Sequence, residues 1–161
     1  MRKKQIAKFN VNGVEYETII EPQMTLADVL RDNLGLTGTK TACGTGDCGC
    51  CTIVMDGKPV LSCLILAITA REKNIMTIEG LAKEGTLHPL QQSFIERGAL
   101  QCGYCTPGQI MASKALLDEN PNPTEEEVKE ALAGNLCRCT GYVKINEAVL
   151  DAAAKMRRGG E

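Results

Sequence analysis

Cys43-Gly-Thr-Gly-Asp-Cys48-Gly-Cys-Cys51 is the stretch on which the reading of this chain turns. With Cys63 it forms the series C-x4-C-x2-C followed by one remote cysteine, a spacing that holds a [2Fe–2S] cluster. Such a cluster needs four thiolates around a compact body, two for each iron. Three ligands on one short loop wrap one side of it. Gly44, Gly46 and Gly49 let that loop bend and turn its N–H groups toward the sulfurs. Those donors stabilise negative sulfur and help set a potential. Cys63 is expected as the fourth ligand, arriving from beyond a hairpin.

A second set follows: Cys102-x2-Cys105, then Cys137-x-Cys139. Spacing alone leaves two readings, a structural zinc ion or a second iron–sulfur cluster. The helix expected to start at Thr106-Pro107 would turn its positive end toward a negatively charged cluster, which favours the second. The ninth cysteine, Cys50, falls between ligand positions and reads as a small buried filler. Gly44-Thr-Gly46-Asp-Cys-Gly49 also fits G-x-G-x-x-G in letters. A dinucleotide site needs a strand before that motif and a helix after it, and here the order is helix, loop, strand.

Working outward, residues 5–11 and 14–20 alternate apolar and polar around Asn12-Gly13, a hairpin signal. Thr25-x-x-Asp28 opens a helix over Leu26, Val29, Leu30 and Leu34, which Gly35 stops. Thr52–Met55 and Lys58–Leu61 flank Asp56-Gly57, a second hairpin, and Ile75–Ile78 reads as a last strand. The remainder reads as helices: His88–Arg97, a helix capped by Thr106 with Pro107 first and running to about Asp118, one opened by Thr124-x-x-Glu127, and Tyr142 to about Met156. The break is expected near residues 79–85, giving domains 1–80 and 81–161. Halves of about 80 residues have marginal cores by themselves, and metal ligation would add folding free energy.

The 161 residues carry a formal net charge of −2, which gives no reason to expect nucleic acid as a partner. Arg2, Lys3 and Lys4 at one end and Lys155, Arg157 and Arg158 at the other read as solvated termini. No apolar run is long enough for a membrane span, and the start alternates like a strand rather than a secretory leader. Nine cysteines without a leader point to a reducing, cytoplasmic setting. No catalytic set can be assembled: the one histidine, His88, precedes Pro89 at a helix start and suits capping, and Glu125, Glu126, Glu127 and Glu130 suit a helix N-terminus.

The three cysteine motifs carry a family resemblance. Cys43 to Cys51, Gln101-Cys-Gly-Tyr-Cys-Thr-Pro-Gly108 and Asn135-Leu-Cys-Arg-Cys-Thr-Gly-Tyr142, in this order, resemble the iron–sulfur subunit of the molybdenum hydroxylases, the xanthine dehydrogenase family. The likeness runs to about Lys155, with detail closest to the small subunit of 4-hydroxybenzoyl-CoA reductase. It implies an α+β chain: a ferredoxin-like β-grasp domain, then an all-α four-helix domain, each with a [2Fe–2S] cluster. It implies Cys43, Cys48, Cys51 and Cys63 as ligands of one cluster and Cys102, Cys105, Cys137 and Cys139 as ligands of the other. By resemblance Cys139 is the ligand that touches a molybdopterin, expected as its cytosine dinucleotide, and Gln101 hydrogen-bonds that pterin. The loop Gly44–Gly49 belongs to the side facing FAD. Partners implied are a large molybdopterin-binding subunit and a medium FAD-binding subunit, in a dimer of heterotrimers. Cys50 departs from the family's usual Ala or Ser. The implied function is relay of single electrons between molybdenum and FAD or an external acceptor. A free-standing two-cluster ferredoxin is the alternative.

Overall fold

The computed structural model describes residues 4–158. Alternation over the first strands has the expected result. β1 (Gln5–Val11) pairs antiparallel with β2 (Val14–Ile20), from Gln5↔Ile20 to Val11↔Val14. Asn12 and Gly13 close the hairpin at φ 55° and 78°, as a tight primed turn requires. β3 (Thr52–Met55) and β4 (Lys58–Leu61) form the second hairpin through Asp56-Gly57. β5 (Asn74–Met76) inserts between β1 and β3, parallel to the first and antiparallel to the second. The resulting sheet is mixed, in the order β2-β1-β5-β3-β4.

The last strand is shorter than the expected Ile75–Ile78, because Thr77 leaves the ladder. Its N–H donates to Asn12 Oδ1 at 2.8 Å, its hydroxyl accepts from Asn12 Nδ2 and donates to Glu79, and residues Ile78–Gly80 turn into a 3-10 helix. The first helix keeps its capping box: Thr25 and Asp28 each bond the other's backbone N–H. It holds one turn, α1 (Leu26–Asp28), then widens over Val29–Asn33, where Leu34 N–H reaches back five residues to Val29. Leu26, Val29 and Leu30 close a core with Phe9, Val11, Ile20, Ile53 and Ile75.

After the sheet come α2 (Pro89–Glu96), α3 (Thr106–Glu119), α4 (Glu125–Ala131) and α5 (Tyr142–Arg158). They bury a second core of Leu90, Phe94, Ile110, Leu117, Val128, Ile145 and Val149. His88 and Thr124 cap as expected: His88 Nδ1 accepts from Leu90 N–H, and Thr124 and Glu127 make a capping box. Thr106 does not cap α3. The N-cap is Cys105, one residue earlier, and its side chain makes no capping hydrogen bond. Lys155 and Arg157 are not merely solvated. Lys155 bonds Ser93, Glu96 and Asp151, joining α5 to α2, and Arg157 donates to Pro121 C=O. Of the other terminal cations, Arg2 and Lys3 lie outside the described residues. Met111 and Ala115 on α3 pack against Val54 of β3, so the helix that follows the second cysteine pair lies directly on the sheet.

Candidate metal centres

The loop 37–51 has almost no regular structure, and its shape comes from polar groups on other elements. Arg31 donates to the carbonyls of Thr37 and Thr39, Glu79 accepts from Gly38 N–H at 2.7 Å, and Tyr104 donates to Thr41 C=O at 2.6 Å. Past these anchors the chain enters the first cysteine run. Cys43 is exposed, Cys48 half-buried, and Cys51 and Cys63 buried. Cys51 opens onto β3, and Cys63 follows β4, so the hairpin brings the fourth cysteine back beside the third. Gly49 lies at φ 69°, and a Cβ on it would stand 2.4 Å from Gly134 C=O. Only glycine serves there: the conformation is left-handed and the contact is with backbone.

All nine cysteines are free thiols. Eight of them gather in two sets: Cys51 and Cys63 pack together beside Ala27, and Cys102, Cys105, Cys137 and Cys139 line one small hollow. Four thiols in each set match the requirement of a [2Fe–2S] body, whose two irons take two thiolates each.

Backbone donors lie where a charged sulfur would need them. Thr45 N–H donates to Cys43 Sγ at 3.5 Å, and this holds the exposed thiol down at about 6. The Tyr104 N–H likewise lowers Cys102. Burial acts in the other direction on the inner thiols, pushing Cys63 up to about 11 and Cys105 to about 12. Cys50 is 6 % exposed and burial raises it to about 12. The expectation of a small buried side chain fits that burial.

The two sets are neighbours. A hollow of about 340 Å³ is lined by Cys48 and Cys50 from one side and Cys102, Cys105 and Cys137 from the other. Leu136 N–H donates to Cys48 C=O at 2.9 Å, so one hydrogen bond joins a cysteine of the first set to the residue preceding Cys137. The larger hollow beside β1, lined by residues 6–10 and 71–74, contains no cysteine. Gln101 is exposed, and its side chain donates to Cys139 C=O at 3.2 Å. Spacing gave no role to Tyr104, Gln109 or Asn135, although Tyr104 and Asn135 lie inside the cysteine motifs. Their hydrogen bonds cross between the halves or brace a residue that does.

Residues 9–75 match the 2Fe-2S iron-sulfur cluster binding domain and residues 77–150 the [2Fe-2S] binding domain. The chain is 53% identical over 140 residues to the nicotinate dehydrogenase small FeS subunit of Eubacterium barkeri, covering 87% of this chain and 89% of that one. It is 52% identical over 146 residues to the nicotine 6-hydroxylase small subunit of Paenarthrobacter nicotinovorans, covering 91% and 88%. The chain belongs to the iron–sulfur subunit family of the molybdenum hydroxylases. A solved structure, quinoline 2-oxidoreductase from Pseudomonas putida 86, superposes with a TM-score of 0.92 at 46% identity, over 97% of this chain and 98% of that one. As an iron–sulfur subunit of this family, the chain has two [2Fe–2S]-binding domains and is part of a multi-subunit oxidoreductase. Among the described residues no helix is long and apolar enough to cross a membrane.

Proposed function

We propose that this chain relays single electrons between a molybdopterin centre and FAD or an external acceptor, through two [2Fe–2S] clusters, and is not catalytic alone. The observation that carries the reading is the gathering of eight cysteines into two adjacent sets that share one hollow and are joined by the Leu136–Cys48 hydrogen bond. Cys43, Cys48, Cys51 and Cys63 hold one cluster, and Cys102, Cys105, Cys137 and Cys139 the other. When bound, each cluster takes up and returns one electron at a time. The protein supplies ligation, burial and N–H donation to sulfur, which set the potentials.

The second set opens to the surface at Cys102 and Cys139, where Gln101 stands ready to meet the pterin of a large subunit. Leu136, 50% exposed, lines with Tyr104 and Tyr142 the hollow onto which Cys102 opens. This apolar rim supports a subunit, covered by a partner, over a free-standing ferredoxin. The exposed Cys43 and the loop Gly44–Gly49 form the flavin-side end. The separate cores and the two family matches support domains 1–80 and 81–161, a β-grasp unit and a four-helix unit. A cytoplasmic dimer of heterotrimers with a medium FAD subunit, and the cytosine dinucleotide form of the pterin, complete the reading.

Iron analysis with electron paramagnetic resonance of the reduced complex tests it. Two distinct [2Fe–2S] signals are expected, and zinc at the second set overturns it. Native purification as a lone, fully functional monomer would remove the subunit reading.

A further inference from the structure

The contacts between the two cysteine loops converge on Asn135. Its side chain is 6 % exposed and donates from Nδ2 to Gly49 C=O at 2.9 Å and to Thr52 Oγ1 at 3.2 Å. Gly49 directly follows Cys48, and Asn135 stands two residues before Cys137. The next residue, Leu136, donates its N–H to Cys48 C=O. Two consecutive carbonyls of the first loop are therefore gripped by two consecutive residues of the second. A two-point grip fixes separation and register together, where one hydrogen bond would leave a pivot.

The grip is backed from both sides. Gln109 Nε2 donates to Asn135 C=O at 2.7 Å, and its Oε1 is buried without a hydrogen-bond partner. A buried amide left half-satisfied is costly, and here its one side-chain bond goes to the residue that makes the grip. Gly108 lies against Gly49 C=O so closely that a Cβ on it would stand 2.4 Å away. The loop 48–50 is thus held between the start of α3 and residues 134–136.

We propose that Asn135 is a positioning residue for electron exchange between the two clusters: it sets their separation by holding the Cys48 loop in register with the Cys137 loop. The proposal rests on the two-cluster reading above. The exchange moves one electron, oxidising one centre as the other is reduced, and no bond forms or breaks. Its rate falls steeply with separation, so a slip at Asn135 appears as slower exchange without any change of ligand.

The test uses the assembled complex carrying Asn135→Ala. In the unsubstituted complex with both clusters reduced, the magnetic interaction between two such neighbouring centres is expected to split their resonance signals at low temperature. Asn135→Ala is expected to keep both signals and both potentials, to narrow the splitting, and to slow redistribution of an electron after flash photoreduction by deazaflavin. Phe9→Leu, buried in the sheet core, a cluster that contains no cysteine, lowers Tm but leaves splitting and rate unchanged. Unchanged splitting and rate in Asn135→Ala overturn the proposal. If that variant loses a cluster, Gln109→Met takes its place, since it removes only the brace on Asn135 C=O. The same narrowing and slowing support the proposal, and unchanged values overturn it. Absence of two [2Fe–2S] signals in the unsubstituted complex is a failure of the function reading instead.

Discussion

Gly44 and Gly49 provide a paired experiment on what the first cysteine loop requires of its backbone. Both lie at φ 69°, so an alanine at either is forced into the left-handed region. That costs about 1–2 kcal/mol. Around Gly44 a Cβ meets nothing within 4 Å. At Gly49 it meets Gly134 C=O at 2.4 Å, Asn135 Nδ2 at 2.7 Å and Asn135 Cα at 2.8 Å. Two of these are backbone atoms, so no rotamer change relieves them, and overpacking of this kind adds about 1–3 kcal/mol. Gly44→Ala is expected to cost about 1–2 kcal/mol and Gly49→Ala about 2–5 kcal/mol. The second is a large share of a total stability of about 5–15 kcal/mol. In urea, with a slope of about 2 kcal/mol/M, Gly49→Ala moves the midpoint down by about 1–2.5 M. Circular dichroism follows the fold and visible absorbance follows the clusters. Equal costs at the two glycines would refute the reasoning, because the left-handed conformation would then be the whole effect and the close approach to residues 134–135 none of it.

Three further outcomes follow from single residues. Cys139→Ser is expected to alter one of the two resonance signals and leave the other intact, and to slow reduction by substrate in the complex; loss of both signals with an intact fold would contradict separate sites. Cys50→Ala is expected to cost about 1 kcal/mol as a small buried side chain is trimmed, with both signals retained. A lost signal would instead make Cys50 a ligand. His88 caps α2 through Nδ1, which must be unprotonated to accept from Leu90 N–H. Burial lowers its pKa, with Lys114 acting the same way. A lowered folded-state pKa means the stabilisation is complete above the unfolded value of about 6.5 and is lost as pH falls through the folded value. Denaturation midpoints should therefore fall as pH is lowered from 7.5 to 5, a dependence that His88→Asn, a competent cap, flattens; an unchanged slope would count against the cap.

Much of the fold was legible because its punctuation is local. Asn12-Gly13 and Asp56-Gly57 set two hairpins, and Thr25, His88 and Thr124 marked three helix starts, each through bonds spanning only a few residues. The misreadings occurred where a distant group intervened. The apolar run at 75–78 continues as a strand in sequence terms, but Asn12, 65 residues away, takes the Thr77 N–H out of the ladder. The cations at the end of α5 look like a solvated tail until α2 brings Ser93 and Glu96 beside Lys155. The cap of α3 falls on Cys105 rather than Thr106, within the shift of one residue common at helix ends.

The cysteine series by itself pointed to an iron–sulfur cluster at the first set. A loop with three closely spaced thiols among glycines and a fourth beyond a hairpin has few other uses, and spacing along a chain fixes which sulfurs can share one compact body. Sequence could not choose between zinc and iron at the second set without a family resemblance, nor say how the two sets face one another. Tertiary structure decided how they face: it left Cys43 and Cys102 exposed and brought the Cys48 and Cys137 loops together through Leu136 and Asn135. Contacts across 86 residues depend on α3 packing against β3, and that packing is a property of two surfaces rather than of either sequence segment alone.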